Sequence, residues 1–153
     1  MHIRSVLAAS ALGVALMVSP AFAEVLNFHA VLTGGEEVPP NDSAGTGTVE
    51  ATFDTDSKVF AWTITYEGLT GDATAAHFHG PADPGVAAGP VVPIEGALAS
   101  PIKGEATLDD TQAADLQAGK WYFNVHTAQY PDGELRGQVM AGAVWTLKYH
   151  FPA

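Results

Sequence analysis

The stretch Phe60-Ala61-Trp62-Thr63-Ile64-Thr65-Tyr66 decides the fold class. Large apolar side chains fall on every second residue, and small or polar ones fall between them. A period of two is that of a β-strand with one face buried, and no helix presents it. The same alternation recurs on both sides of this stretch. Leu26, Phe28, Ala30 and Leu32 form one face of a first strand, and Val49, Ala51 and Phe53 one face of a second. Residues 73–79, 103–108, 120–127, 134–140 and 143–150 read as further strands. Turn signals separate them at Gly34-Gly35, at Pro39-Pro40-Asn41, from Gly68 to Asp72, and at Pro131-Asp132-Gly133. The last of these predicts a hairpin between 120–127 and 134–140. One short helix is predicted over Gln112 to Ala118, capped by Asp110 or Thr111 and stopped at Gly119. Seven or eight strands and one helix imply an all-β domain, an antiparallel Greek-key sandwich or barrel. Residues 81–101, rich in Pro, Gly and Ala, read as a long ordered loop with a short strand near Val91, and loops of that length are often functional.

The first residues follow a different pattern. Arg4 precedes an apolar run from Val6 to Met17, and Ala21-Phe22-Ala23 is a small-x-small cleavage signal. This predicts a secretory signal peptide over 1–23, a single domain over 24–153, and a periplasmic or secreted destination. The apolar run is too short to span a bilayer comfortably, so no membrane association is expected after cleavage.

Charge and composition remove several functions. The chain carries 6 basic and 17 acidic residues, a net charge of −11, which becomes −12 on loss of Arg4. Such a field repels nucleic acid and anionic membranes. There is no cysteine, so disulfides, thiolate metal sites and cysteine nucleophiles are excluded. Ser43, Ser57 and Ser100 lie in turn-like contexts without a nucleophile elbow. No Gly-rich phosphate loop precedes a helix.

Three histidines stand out. His77 and His79 in AHFHG are two apart, so a strand directs both to one face, opposite Phe78. In KWYFNVHT, Trp121, Phe123 and Val125 claim the core, which turns Tyr122, Asn124 and His126 outward. Three imidazoles from two strands suit one borderline metal ion, copper or zinc before calcium or magnesium. The following loop is placed to cover them. The competing reading is that they hydrogen-bond to Tyr122, Asp83 or a loop carbonyl and do nothing more. His29, on the polar side of the first strand, and His150 are weaker candidates. Arg136 alternates with Glu134 and Gln138. It is expected either to pair with Glu134 or an acidic loop, or to act as a fixed cation near the histidines. The GGEEVPP segment at 34–40 reads as a bulged turn with Glu36 and Glu37 solvated.

The pieces FHAVLTGGEEVPP, AHFHGPA, LDDTQAADLQAGKWYFNVHT and PDGELRGQV extend in order over residues 28–139. In them the chain resembles the CHRD domain, a module first described in chordin and found in bacterial secreted proteins. That resemblance implies an immunoglobulin-like sandwich or barrel and an extracellular setting with other exported proteins as partners. YEGLTGDATAAHFHG is similar, more faintly, to the copper/zinc superoxide dismutase segment that supplies two copper ligands. By that likeness His77, His79 and His126 would be copper ligands and Arg136 a catalytic arginine. AGPVV at 88–92 has Val91 where that family's bridging histidine is expected, and no zinc-ligand set is present. The resemblance therefore implies a copper site, with zinc less favoured. Three functions follow as expectations: a copper-binding exported protein, an interaction module without metal, and a copper-only dismutase-like oxidoreductase.

Overall fold

A computed structural model describes residues 24–142. The predicted signal peptide, the strand at 143–150 and His150 lie outside the described residues. The elements are β1 (Val25–Thr33), a 3-10 turn at Gly34–Glu36, β2 (Thr46–Asp54), β3 (Val59–Glu67), β4 (Ala73–His79), β5 (Pro90–Pro93), β6 (Ile102–Thr107), α1 (Asp110–Gln117), β7 (Trp121–Thr127) and β8 (Leu135–Ala141). All pairings are antiparallel, in the order β5-β4-β7-β8-β1-β2-β3-β6. The all-β Greek-key expectation holds, as do the β7–β8 hairpin and the short strand at Val91.

The period-two stretches close this sheet on itself. Phe60 and Trp62 on β3 project inward with Ile64, and all three are buried. Their ring centroids lie 5.1 and 5.2 Å from that of Phe78 on β4, and Phe60 is 5.7 Å from Trp121 on β7. These strands are far apart in sheet order, so the contacts require a strong curl. Edge-to-face packing of this kind adds about 0.5–1.5 kcal/mol per pair beyond area burial. The two edge strands come to line one cleft through Val92 and Pro93 of β5 and Lys103 to Ala106 of β6, giving a nearly closed barrel.

The helix starts at Asp110, two residues earlier than expected. Asp109, not Asp110 or Thr111, is the N-cap: its carboxylate accepts from Gln112 N–H, and the Gln112 side chain accepts from Asp109 N–H. This reciprocal box satisfies two backbone donors that have no partner inside the helix. Gly119, with φ +70°, ends the helix as predicted. Asp109→Ala is expected to cost about 1 kcal/mol in urea unfolding, and a change below about 0.3 kcal/mol would remove the cap from the account.

β7 is buried on both faces. Trp121, Phe123 and Val125 enter the core, while Tyr122 and Asn124 are covered from outside. The cover is the segment after β4, as expected from the sequence. Gln138 Nε2 donates to Ala82 O, Arg136 Nη2 to Val86 O and Ala88 N–H to Tyr122 Oη, at 2.8–3.1 Å. The second cover is the 34–41 segment, and here the sequence expectation fails. Glu37 is 6 % exposed rather than solvated. Its side chain lies against Gly133 of the β7–β8 turn, whose φ is +136°. A Cβ on Gly133 would sit 2.2 Å from Glu37 Oε1, so only glycine admits the carboxylate there.

Candidate metal centre

β4 and β7 are direct neighbours, with His77 opposite Asn124 and His79 opposite Tyr122. The two-residue spacing puts His77 and His79 on the outer face, and His126 reaches the same spot diagonally from β7. One ring nitrogen from each histidine lies within 4.8 Å of the other two. The nearest pair, His77 Nδ1 and His126 Nε2, is 3.3 Å apart. Three nitrogens bound at about 2.0–2.1 Å to one ion stand about 3.3–3.6 Å from one another. One pair is already there, and all three nitrogens lie within 4.8 Å of one another.

The remaining ring nitrogens are held by backbone. His79 Nδ1 is 2.9 Å from Ala88 O, and His126 Nδ1 is 3.0 Å from Pro131 O. A carbonyl only accepts, so each Nδ1 of a neutral ring carries the hydrogen and each Nε2 keeps its lone pair. His79 Nε2 is buried and has no hydrogen-bond partner. An orphaned buried acceptor beside two further imidazoles is the arrangement a metal ion satisfies. His77 presents Nδ1 to the cluster. Burial, then the charges of His126 and His79, holds the His77 pKa below its ordinary value. Burial likewise depresses that of His79, aided by the charges of His126 and Arg136 and outweighing the Ala88 and Asn124 side-chain hydrogen bonds that raise it. Both effects favour the neutral rings that bind metals.

Tyr122 sits between two partners. His79 stacks on one face, centroids 4.7 Å apart and planes at 3°, and the Arg136 guanidinium carbon lies 3.6 Å over the ring. Both cannot occupy one face at those distances. β4 and β8 also flank β7 on opposite sides. Arg136 therefore lies across the phenol ring from His79, near enough for its positive charge to lower the His79 pKa. The predicted pairing of Arg136 with Glu134 does not form. Glu134 precedes β8 and turns to the barrel end, where it accepts from Ser43, Thr70 and Thr127. Arg136 instead acts on the acidic loop, through its charge on Glu37.

His29 is exposed on β1, away from the triad, and Asp83 pairs with Lys120 rather than with a histidine. The sequence reading took Glu37 as solvated and gave no role to Asn124, whose side chain acts by hydrogen bonding on both Glu37 and His79. Proline-rich GGEEVPP was the one available signal, because a stiff segment after paired carboxylates can be folded back.

The family model for the CHRD domain matches residues 28–139. The chain belongs to the CHRD-domain family. Searches of curated proteins and of solved structures gave no match. The matched span of this CHRD domain includes all three histidines, the covering segment and the β7–β8 turn. Among the described residues, no helix of the CHRD domain is long and apolar enough to cross a membrane.

Proposed function

We propose that this CHRD-domain protein is exported and binds one copper ion through His77 Nδ1, His79 Nε2 and His126 Nε2. The observation that carries the reading is the unpartnered, buried His79 Nε2 beside two imidazole nitrogens. Imidazole sets without thiolate or carboxylate suit copper and zinc, and copper stands highest among divalent ions in such sites. Zinc is the second choice. The amino-terminal pattern supports a periplasmic or secreted location, with other exported proteins as partners.

The proposal stops at binding. A dismutase-like oxidoreductase needs Arg136 beside the metal, whereas the guanidinium is stacked behind Tyr122 and donates to Val86 O. One observation favours an interaction module without metal: His77 and His126 hydrogen-bond to each other directly.

Metal analysis of untagged protein decides between the readings. One equivalent of copper is expected in the parent chain and none in the H77A/H79A/H126A variant. Equal copper in both overturns the metal reading. An equal loss of thermal stability in that variant with and without chelator then supports the interaction module.

A further inference from the structure

The 34–41 segment and the β7–β8 turn enclose a cleft of about 240 Å³. Pro39, Pro40, Tyr130 and Pro131 line it together with the carboxylate-bearing residues Glu37 and Asp132. Glu37 is 6 % exposed, and its Oε1 has no hydrogen-bond partner. Arg136 is near enough for its charge to be felt, yet Glu37 forms no ion pair with any described residue. Buried carboxylates are ordinarily paired, because desolvation of an isolated charge is costly. The glycine at 133 leaves room for the carboxylate against the turn, and a Cβ would drive it out.

We propose that this cleft receives the cationic side chain of a lysine or arginine from a partner polypeptide, with Glu37 as the anionic receptor and Tyr130 and the prolines as walls. The volume suits one long side chain rather than a folded surface. The occupant's charge complements both the carboxylates at the cleft and a chain of net charge −11. An aromatic and proline wall packs the methylene stem while the charged tip reaches the interior. Burial raises the Glu37 pKa to about 7, against the Arg136 charge and the hydrogen bonds from Val38 and Asn124, which lower it. The proposal does not depend on the metal reading, since no cleft residue is a histidine of the triad.

The test is NMR titration of the full chain with three blocked peptides, Ac-Gly-Lys-Gly-NH2, Ac-Gly-Arg-Gly-NH2 and the norleucine analogue. The lysine or the arginine peptide is expected to shift amides of Glu37 to Asn41 and Gln129 to Gly133 saturably, and the norleucine peptide is not. Glu37→Gln should weaken binding about tenfold or more, the scale of one charge-assisted hydrogen bond. Tyr130→Ala, at the half-buried wall, should weaken it about two- to fivefold and serves if the Glu37 variant does not fold. Absence of saturable shifts with both basic peptides, equal shifts with norleucine, or full affinity in a folded Glu37→Gln chain overturns the proposal.

Discussion

The His79→Ala variant will bind copper at least about a hundredfold more weakly than the parent chain. Losing an outer partner of a metal-bound histidine already costs about 10–100-fold, and loss of a ligand should exceed that range. His79 is the ring with most at stake. It is the most buried of the three, its Nδ1–H is fixed by Ala88 O, and its Nε2 has no other partner. Alanine there removes both the donor and the stacking surface for Tyr122. Competition against a chromophoric chelator measures the effect, and a loss below about tenfold would take His79 out of the site. The pH dependence is the companion measurement. Only neutral imidazole binds, and His77 and His79 are held below their ordinary pKa of 6.5. Protons therefore compete weakly with copper at neutral pH. Protonation of His77 and His79 should weaken binding only as the pH drops below 6.5. A steep fall between pH 8 and 7 would mean that some group other than these imidazoles controls binding.

How much of this was legible beforehand follows the range of the forces involved. Alternation at Phe60 to Tyr66 is local: each side chain's face follows from its neighbours, so strands and hairpins could be read directly. The shared face of His77 and His79 was legible for the same reason. The segment after His79 was also recognisable as a cover, because it follows the histidine in the chain. Glu37 was not legible. Its burial is set by a turn far along the chain, and no local pattern reports the missing Cβ of Gly133. The Arg136–Glu134 pairing was misread, because alternation was extended one residue ahead of the start of β8 at Leu135. Outside the strand the chain no longer alternates, and Glu134 is free to turn to the barrel end.

Glu134→Ala is expected to destabilise the domain by about 3–5 kcal/mol, the scale of breaking a buried charged network by removing one member. Glu134 is fully buried. Oε1 accepts from Ser43 Oγ at 2.7 Å and from Thr70 N–H at 2.8 Å, and Oε2 accepts from Thr70 Oγ1 at 2.7 Å and Thr127 Oγ1 at 2.6 Å. These donors come from the β1–β2 connection, the β3–β4 connection and the end of β7, so one carboxylate ties three segments at one end of the barrel. Alanine leaves Ser43 Oγ and Thr70 N–H without that acceptor, while the Thr70 and Thr127 hydroxyls, 3.2 Å apart, keep only each other; each unpaired donor costs about 1–3 kcal/mol if no water enters. Glu134→Gln keeps the shape but offers one acceptor oxygen in place of two, and should fall between the parent and the alanine variant. Burial alone would raise the Glu134 pKa, but the hydrogen bonds from Thr127, Ser43 and Thr70 outweigh it and hold the carboxyl below its ordinary value of 4.5. A depressed folded-state pKa contributes stability that is complete above the unfolded value and lost as pH falls through the folded one. Urea unfolding of parent and variant should therefore differ most at neutral pH, and the gap should narrow as the pH falls below the ordinary value of 4.5. A gap under about 1 kcal/mol at pH 7, or one that widens in acid, would show that other contacts hold these three segments together.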